Sequence, residues 1–385
     1  MKPLRIFVDA HQFDHGFEGS ASFIQGLYLA LVRRRPSAYQ VFLGCANPDR
    51  VMASFEGDPH FEPIRYGTDN RYRRLAWDIP RAVSRCRADW AHFQYFTPLL
   101  KTCPWIVTLH DVLFNDFPQY FPPGYAKIRN VLFPMSARRA DLLTTVSEYS
   151  RERIAHWYGI APSRIALVPN GVHRIAPHEG AVATTPAVAG LLGTARGYVL
   201  CVSRFEPRKN QAAVLEAYLQ GGFWRRGIAL VFVGSRTLEG GDFDRALAAA
   251  PTDARAFIHL LEGLPFTDIQ LLYARAAVAV YPSFAEGFGM PPLEAAAAGA
   301  PSLCAHTTAM KDFACLGPNF FDPDDRQALA AQLRRIIDLP EAAALAAAGV
   351  REQVLADYSW DRAAHLFEQQ LLGRTPADAA APGTP

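Results

Sequence analysis

Short apolar segments alternate with helical patterns along most of the chain, and the alternation occurs in two blocks. The apolar segments of the first block are LRIFVDA, VFLGC, WAHFQYF, WIVTLHD, LLTTVS and IALVPN. Those of the second block are YVLCVS, ALVFVG, AFIHLL, AVAVYPS and PSLCA. Short runs rich in Val, Ile, Leu and aromatic residues are typical of parallel strands buried on both faces. Because helical stretches separate most of these runs, the sequence predicts an α/β fold with two doubly wound sheets.

The two blocks predict two domains. The chain has 385 residues, which is too long for one ordinary core. Residues 173–196 are rich in Ala, Pro, Gly and Thr with little periodicity, so we interpret them as the interdomain crossing. The predicted domains are therefore residues 1–172 and 197–358. A final helix lies in 359–372, and the composition of 373–385 predicts a disordered tail.

Composition disfavours several classes of function. The net charge of +2 predicts no affinity for nucleic acid. The six cysteines form no C-x-x-C pair, which argues against zinc and redox motifs and favours a reduced, cytoplasmic protein. The N-terminal segment becomes polar too early for a signal peptide, and no apolar run approaches the roughly 18 residues that a membrane span needs.

The segment 71–87, RYRRLAWDIPRAVSRCR, has six arginines with aromatic and aliphatic residues between them. One interpretation is a solvated helix face. The other is a contact with an anionic membrane surface or an acidic substrate, which would place the protein peripherally at the inner face of the cell membrane.

Two carboxylates flank the segment FAEGFGMPPLE, which follows the predicted strand AVAVYPS. A strand ending near Ser283 places Glu286 in the next loop. The prolines at 291–292 suit the first turn of a helix, which puts Glu294 in that turn and lets Gly299 end the helix.

The residues Gly287, Phe288 and Gly289 between the carboxylates are expected to present backbone N–H groups to a ligand. N–H donors beside carboxylate acceptors can bind a polyol. The alternative is that both acids only favour a helix start through its dipole, which accounts for Glu294 but not for Glu286, too far upstream.

Cations and glycines follow two other predicted strands. Arg204 and Lys209 stand before a helix in RFEPRKNQ, an arrangement suited to a diphosphate, and Arg208 is a third candidate. An exposed charged loop is the alternative interpretation. After ALVFVG, Gly234 and Ser235 are expected to bring N–H groups close to a phosphate.

In the first block, WIVTLHD ends in His110 and Asp111. His110 could bind a substrate hydroxyl or stabilise developing charge, or it could be structural, with Asp111 orienting it or capping the next turn. Gly16 and Gly19 lie in a predicted loop before the first long helix, without the G-x-G-x-x-G of a dinucleotide fingerprint.

Together these motifs resemble the retaining glycosyltransferases of family 4, which have the GT-B architecture. The resemblance is carried by the E-x7-E pair Glu286 and Glu294, SRFEPRKN, TLHD, TTVSEYS, VPNGV and DYSWDRAA. It implies two Rossmann-like domains that face each other across a cleft, the first binding the acceptor and the second a nucleotide-sugar. It also implies that the helix in 359–372 returns to pack on the N-terminal domain.

The resemblance implies roles for residues of the donor site. Glu286 and the backbone of 287–289 would hold sugar hydroxyls, and Glu294 the ribose diol. Arg204 and Lys209 would neutralise the diphosphate. The base would be read mostly by backbone and small side chains around 260–264, including Leu261.

Two more roles are implied for the N-terminal block. His110 would lie near the sugar, and Gly19 beside the phosphate. Many family members have adjacent glycines where this chain reads GFEGS, which points to a different acceptor side.

The implied reaction moves a hexose from a nucleoside-diphosphate sugar to a hydroxyl of a glycan or lipid-linked saccharide in polysaccharide biosynthesis. Mannose from GDP-mannose is the leading expectation, with UDP-glucose and UDP-N-acetylglucosamine open. No cofactor or metal is expected, because Arg204 and Lys209 can stabilise the leaving diphosphate. The Asp-x-Asp in DPDD, 322–325, resembles a metal motif, but Asp322 or Asp324 is better explained as a helix N-cap.

Three alternatives share this architecture: a sugar-nucleotide epimerase, a phosphorylase of the glycogen type and a non-catalytic nucleotide-sugar binding protein. An NAD oxidoreductase is disfavoured by the missing glycine fingerprint.

Overall fold

The computed structural model describes residues 2–15, 19–68, 70–174, 184–236 and 241–373. The chain divides into two compact units. Unit 1 comprises the described residues up to Gly171 together with those from Ser359 onward, and unit 2 runs from Val172 to Tyr358.

Unit 1 contains a parallel sheet of seven strands in the order β3-β2-β1-β4-β5-β6-β7. The strands are β1 (Leu4–Asp9), β2 (Tyr39–Cys45), β3 (Phe61–Arg65), β4 (Trp90–Gln94), β5 (Trp105–Thr108), β6 (Leu142–Thr145) and β7 (Ile165–Leu167). The strand order reverses between β1 and β4, which pair with Val8 opposite His92. In open parallel sheets ligands bind at the carboxyl ends of the strands, at this switch point.

Helices cover the sheet of unit 1. They are α1 (Gln12–His15), α2 (Gly19–Arg34), α3 (Pro48–Ser54), α4 (Arg71–Arg73), α5 (Ile79–Arg85), α6 (Leu113–Asp116), α7 (Tyr125–Arg139) and α8 (Glu148–Tyr158). A π-helix, Arg74–Asp78, joins α4 to α5, and single 3₁₀ turns lie at Pro36–Ala38, Pro118–Tyr120 and Pro162–Arg164. Side-chain caps start several of these helices, as where Ser147 accepts from the amide of Ser150 before α8.

Unit 2 repeats the same plan with six parallel strands in the order β10-β9-β8-β11-β12-β13. The strands are β8 (Gly197–Val202), β9 (Ile228–Val233), β10 (Ile258–Leu261), β11 (Val278–Tyr281), β12 (Ser302–Ala305) and β13 (Phe320–Phe321). Its switch point lies between β8 and β11, where Val199 pairs with Val278. The prediction of two doubly wound parallel sheets is confirmed.

The helices of unit 2 connect these strands. They are α9 (Pro186–Thr194), α10 (Gln211–Gly221), α11 (Asp242–Ala249), α12 (Thr252–Arg255), α13 (Phe266–Arg275), α14 (Met290–Ala297), α15 (Arg326–Asp338) and α16 (Pro340–Asp357). The 3₁₀ helices are Pro207–Lys209, Phe223–Arg226, Thr308–Asp312 and Ala314–Asn319.

The segment 173–196, interpreted from the sequence as a crossing, contains α9. Val188 and Leu191 of this helix are buried in the core of unit 2. The helical part of the segment therefore belongs to unit 2, while residues 175–183 lie outside the described part of the chain.

The last helix of the described chain, α17 (Trp360–Leu372), packs in unit 1 against α2. The Trp360 ring occupies the space beside Gly26, where an added Cβ would lie 2.1 Å from the ring. The buried carboxylate of Glu368 accepts a hydrogen bond from the Tyr39 hydroxyl at 2.6 Å. The expected tail, apart from Gly373, lies outside the described residues.

The arginine-rich segment 71–87 does not form one uniform face. Five of its arginines are exposed, but Arg74 is buried with 8% of its surface accessible. The interpretation as a solvated helix face is therefore wrong for Arg74.

The N-cap in the DPDD segment is Asp325, whose carboxylate accepts from the Ala328 amide at 2.8 Å. The prediction that Asp322 or Asp324 is the N-cap is therefore wrong. Asp322 instead accepts from the amide of Asp324 within the turn before α15.

No helix in the described part of the chain is long and apolar enough to cross a bilayer. All six cysteines are free, and four of them are buried.

Candidate functional site

The switch point of unit 2 brings together two loops that are distant in sequence. One loop follows β8 and carries 204–209, and the other follows β11 and carries 282–289. The Phe284 amide donates to the Arg208 carbonyl at 2.8 Å, which ties the second loop to the first. The candidate site is built on these two loops.

Glu286 is the centre of this site, and it is buried. Its Oε1 accepts from Lys209 Nζ at 2.7 Å and from the Tyr281 hydroxyl at 2.9 Å. The Ser283 hydroxyl lies 2.5 Å and Arg208 Nη1 3.0 Å from the same oxygen. We call these five residues the Glu286 cluster.

The charges of the cluster keep Glu286 ionised. Burial alone would raise the pKa of this carboxyl, but the cations of Lys209 and Arg208 outweigh burial and lower it to about 2. The site therefore holds a fixed carboxylate next to two cations.

The cations of the 204–209 loop have different positions. The Lys209 side chain is 11% exposed and also donates to the Tyr281 hydroxyl at 2.7 Å. Arg208 Nη1 donates to the Ala285 carbonyl at 2.8 Å, so Arg208 braces the loop that carries Glu286. Arg204 follows β8 and is exposed, with its carbonyl accepting from Gln211 Nε2 at 2.7 Å. The alternative of a simply exposed loop is therefore wrong for Lys209 and Arg208.

The N-terminus of α14 adjoins Glu286 in sequence. Gly289 has φ +99°, a conformation that favours glycine, and an added Cβ would lie 2.8 Å from Met310 Cγ. Phe288 packs against Phe313 and Tyr358, which holds the turn. Among the described residues, the amides of Phe288 and Gly289 find no hydrogen-bond acceptor, so both can donate to a ligand.

Glu294 is the fifth residue of α14, so its predicted place in the first turn was wrong by one position. Its Oε2 accepts from the buried Tyr273 hydroxyl at 3.1 Å. Burial raises the pKa of Glu294, and the Tyr273 hydrogen bond opposes that shift. The predicted end of this helix is confirmed, because Gly299 adopts φ +90° just beyond it.

The glycine after β9 has a steric role. An added Cβ on Gly234 would lie 2.1 Å from the Ser203 carbonyl oxygen, so only glycine fits where the loops after β8 and β9 meet. The Gly234 amide donates to the Leu261 carbonyl at 3.0 Å, which corrects the prediction that this N–H is available to a phosphate. Ser235 accepts through its carbonyl from the Phe205 amide at 3.0 Å.

In unit 1, His110 is buried and its Nε2 lies 2.6 Å from Gln94 Oε1. Because the amide oxygen only accepts, Nε2 carries the proton in this arrangement. Burial lowers the pKa of His110 to about 4, so the ring is neutral at pH 7. Asp111 caps the following turn by accepting from the Leu113 amide at 3.1 Å.

Gly19 is the first residue of α2 rather than part of the preceding loop. No described atom lies within 4 Å of a Cβ built on it, so the local packing does not require glycine. Gly16 lies outside the described residues.

Sequence reasoning missed the neutral partners of the two glutamates, which are Tyr281, Ser283 and Tyr273. Tyr281 ends β11 and Ser283 follows it, five and three residues before Glu286. Their closeness to Glu286 in sequence could have indicated them as its hydrogen-bond partners. Tyr273 lies on α13, far enough from Glu294 in sequence that only the fold brings the two together.

Solved structures share this fold across nearly the whole chain. Sucrose-phosphate synthase from Thermosynechococcus elongatus aligns with a TM-score of 0.72 at 18% identity, covering 97% of this chain and 100% of that chain. Anabaena Alr3699/HepE in complex with UDP-glucose aligns with a TM-score of 0.69 at 17% identity, covering 96% of this chain and 99% of that chain. The fold class is GT-B.

Two family models match the two units. Residues 18–174 match the model described as Glycosyltransferase Family 4. Residues 190–352 match the model described as Glycosyl transferases group 1. The chain therefore belongs to the family 4 glycosyltransferases.

Similar proteins include O-antigen chain mannosyltransferase B of Escherichia coli, 28% identical over 59% of this chain and 60% of that protein. O-antigen chain mannosyltransferase RfbU of Salmonella typhimurium is 26% identical over 64% of each chain. The matched region thus spans somewhat less than two thirds of either relative.

Proposed function

We propose that this protein transfers a hexose from a nucleoside-diphosphate sugar to a hydroxyl of a glycan or lipid-linked saccharide in surface polysaccharide biosynthesis. The observation that carries the proposal is the Glu286 cluster. It places an ionised carboxylate and two cations beside the donor amides of Phe288 and Gly289, at the switch point of unit 2. Such a site offers acceptors for sugar hydroxyls and positive charge for a diphosphate.

In this proposal the donor binds along the loops of unit 2. Glu286 and the backbone of 287–289 hold the sugar hydroxyls, and Glu294 holds the ribose diol. Arg204 and Lys209 neutralise the diphosphate, with Arg208 bracing Glu286 through the Ala285 carbonyl. Ser235, after β9, lies at the phosphate, and backbone and small side chains around Leu261 read the base.

The reaction breaks the bond between the anomeric carbon and the diphosphate oxygen, and negative charge grows on the leaving group. Fixed cations and backbone N–H groups stabilise such charge because they are already oriented before the reaction. Lys209 is held in place by Glu286 and Tyr281, so it needs little reorganisation.

We propose that the sugar keeps its anomeric configuration, with the acceptor attacking on the face from which the diphosphate leaves. The departing phosphate oxygen then takes the acceptor's proton. A double displacement would need Glu286 as the nucleophile, whereas the family resemblance assigns this carboxylate to the sugar hydroxyls. The role of His110 at the sugar and of Gly19 at the phosphate rests on family resemblance alone.

GDP-mannose is the proposed donor, because the two relatives described above are named as mannosyltransferases of O-antigen chains. UDP-glucose is the alternative, since the HepE structure of the same fold holds it. A thermal-shift panel of GDP, UDP, ADP and their sugars tests this choice. We expect GDP-mannose to raise the unfolding temperature most, and a larger shift with a UDP-sugar would replace the proposed donor.

Incubation of the donor alone, followed by analysis of the sugar, separates transfer from its alternatives. A transferase leaves the sugar unchanged or slowly hydrolysed, while an epimerase yields an altered sugar. Donor binding without turnover in the presence of glycan acceptors would favour a binding protein.

Metal independence is a further part of the proposal, since Arg204 and Lys209 can offset the leaving-group charge. We expect transfer in 5 mM EDTA to stay within about twofold of that in buffer, a difference below about 0.5 kcal/mol in activation free energy. Loss of activity that manganese restores would show that the reaction needs a divalent ion.

A further inference from the structure

Thr308 has an unusual backbone conformation. Its φ angle is +43°, in the left-handed region that β-branched residues rarely adopt, because Cβ comes too close to the following carbonyl oxygen. Four other non-glycine residues in the described part of the chain have a positive φ, and none of them is β-branched: Glu56, Arg87, Tyr95 and Asn210. Such strain persists only where surrounding contacts hold it, and it clusters at functional sites.

The Thr308 side chain is bound to the centre of the candidate site. Its Oγ1 accepts a hydrogen bond from the Glu286 amide at 2.8 Å. No other described residue accepts from this amide, and Glu286 is buried. Because a buried N–H without an acceptor is costly, the Thr308 hydroxyl is the group that satisfies the backbone at Glu286.

The residues on either side of Thr308 bind the same loop. Thr307 Oγ1 donates to the Ser283 carbonyl at 2.9 Å, and the Ala309 amide donates to the Glu286 carbonyl at 3.4 Å. The amide and the carbonyl of Glu286 are therefore both bonded to one turn. This turn follows β12, which pairs with β11, so a third loop joins the two that form the candidate site.

The strain at Thr308 is explained by its hydroxyl rather than by its backbone. Glycine adopts a positive φ without strain, so the turn itself does not require threonine. Thr308 is only partly buried, and its side chain makes one hydrogen bond to the described residues, with the Glu286 amide. The hydroxyl on Glu286 is thus what threonine supplies at this position and glycine would not.

Glu286 is fixed at both ends of its side chain. The donors of the Glu286 cluster converge on Oε1, and Thr308 holds the amide at the other end. The second carboxylate oxygen is therefore kept in one place relative to the end of β11. Catalysis depends on such placement, because a displacement of about 1 Å can lower a rate by up to about a hundredfold.

We propose that Thr308 is a positioning residue for the transfer reaction. Its hydroxyl holds the Glu286 backbone so that the carboxylate meets the donor sugar in one orientation, and the strained φ angle is the conformation in which the hydroxyl reaches that amide. The inference rests on the proposed function, in which Glu286 binds sugar hydroxyls.

Three substitutions at Thr308 separate the hydroxyl from the strain. Thr308→Val removes the hydroxyl and keeps the β-branched shape, Thr308→Ser keeps the hydroxyl, and Thr308→Gly removes both the hydroxyl and the strain. The full chain is assayed for nucleotide release from the nucleotide sugar that gives the largest thermal shift, GDP-mannose being the expected one. Methyl α-mannoside is the acceptor probe.

We expect Thr308→Val to lower kcat at least about tenfold, while the dissociation constant of GDP changes less than about threefold. Thr308→Ser should keep kcat within about twofold of the parent. Thr308→Gly should be as slow as Thr308→Val and yet unfold at a higher temperature, because its backbone is not strained. It also carries the test if Thr308→Val does not fold. A threonine that only stabilised the fold would not separate activity from stability in this way.

Tyr218→Phe is the matched control for loss of a hydroxyl in unit 2. The Tyr218 hydroxyl donates to the Ile228 carbonyl at 2.8 Å, and Ile228 begins β9, at the edge of the sheet opposite the candidate site. This change should lower the unfolding temperature and leave kcat within about twofold of the parent.

Hydrogen exchange of the Glu286 amide tests the contact itself. Exchange should be at least about tenfold faster in Thr308→Val than in the parent, and Thr308→Ser should restore the protection. Parent-like kcat in Thr308→Val, a loss that Thr308→Ser does not restore, or unchanged exchange at Glu286 would overturn this inference alone. Absence of transfer by the parent with every nucleotide sugar of the panel would instead overturn the proposed function, and this inference with it.

Discussion

The two carboxylate oxygens of Glu286 have different surroundings, because every side chain that donates to this carboxylate among the described residues donates to Oε1. Lys209, Arg208, Tyr281 and Ser283 converge on Oε1, while Oε2 accepts no hydrogen bond from the described residues. The side chain is thus fixed in orientation and charge, and one oxygen is left to a ligand. This is how a protein can hold a sugar hydroxyl firmly without reorganising when it binds.

Replacing Glu286 by Gln keeps the shape of the side chain but removes its charge. We expect kcat to fall at least a hundredfold, about 2.7 kcal/mol, because the charged contact with the sugar hydroxyl is lost, while the Gln oxygen can still accept from Lys209. The nucleotide dissociation constant should change less than threefold. Steady-state kinetics and nucleotide titration measure the two effects.

Glu294→Ala is the matched comparison, since it removes the other carboxylate of the motif. Nucleotide affinity should fall about tenfold, or about 1.4 kcal/mol, through loss of the ribose contact. If Glu286→Gln weakened the nucleotide as much as Glu294→Ala does, the division of sugar and ribose between the two acids would be wrong.

Donor binding should also depend on pH through Glu294. Burial raises the pKa of this carboxyl above its ordinary value, and the ionised form is the one that accepts from both ribose hydroxyls. Affinity should therefore fall as the pH decreases from neutrality, and the fall should begin at a higher pH than an ordinary carboxyl would give. The affinities for GDP and for 2′,3′-dideoxy-GDP are measured at each pH. Their ratio gives the contribution of the ribose hydroxyls, because protonation of the phosphates affects both nucleotides alike.

Tyr273→Phe sharpens this test. Removing the hydroxyl that lowers the Glu294 pKa should move the loss of affinity to a higher pH. A contribution of the ribose hydroxyls that stays constant as the pH decreases in both proteins would contradict the role of Glu294.

At the scale of elements, packing against single glycines fixes where the helices lie. Gly26 in α2 gives the Trp360 ring its place at the start of α17. Gly171 leaves room for the backbone of Trp360, because a Cβ added to Gly171 would lie 2.3 Å from the Trp360 nitrogen. The final helix is therefore positioned by residues that are far away in sequence.

Gly26→Ala should destabilise unit 1 by about 1–3 kcal/mol, because the methyl group overlaps the buried Trp360 ring. Gly349→Ala, within α16, is the matched control, since no described atom lies within 4 Å of its Cβ. That change should stabilise its helix by up to about 1 kcal/mol. Urea denaturation of both variants measures the difference, and equal effects would contradict the packing described for α17.

Much of the fold follows from local sequence, because buried parallel strands need continuous apolar runs. The strands that were missed, Phe61–Arg65 and Phe320–Phe321, lie at sheet edges, where charged residues and short length are favoured. The helix Pro186–Thr194 was missed because its Ala, Gly and Pro content hides the few buried positions.

Ligands of open parallel sheets bind at the carboxyl ends of the strands. This principle led from the sequence to both glutamates and to the 204–209 loop as candidate site residues. The same principle could not show that Lys209 forms an ion pair with Glu286 or that the Gly234 amide donates to the Leu261 carbonyl. Such contacts depend on how loops distant in sequence meet in the folded chain. The burial of Arg74 could not be predicted from the sequence either, because the six arginines of 71–87 look alike until the chain is folded.

At the scale of the whole molecule, charge is distributed unevenly although the net charge is only +2. The segment 71–87 exposes five arginines together with Tyr72 and Trp77, which are 67% and 56% exposed. Arg81 stacks over the Trp77 ring at 4.1 Å, so aromatic and cationic groups share one surface. We propose this surface as a peripheral membrane contact.

Reversal of charge at Arg71 and Arg81 to Glu should reduce binding to vesicles with 30% phosphatidylglycerol at least tenfold. Each cation near an anionic bilayer contributes about 1 kcal/mol. The same reversal at Arg334 and Arg335, exposed on α15, is the control and should have little effect. Equal sedimentation of both variants with the vesicles would remove the membrane assignment.

The chain enters unit 2 at Val172 and leaves it at Tyr358, and these two residues are joined by a hydrogen bond of 2.6 Å from amide to carbonyl. On the other side of the boundary, Gly171 lies against Ser359 and Trp360. In engineering terms, unit 2 is an insertion whose two ends meet. Residue 171 could be ligated to residue 359 by a short linker, giving unit 1 as one polypeptide, and 172–358 could be exchanged as a cassette between related enzymes.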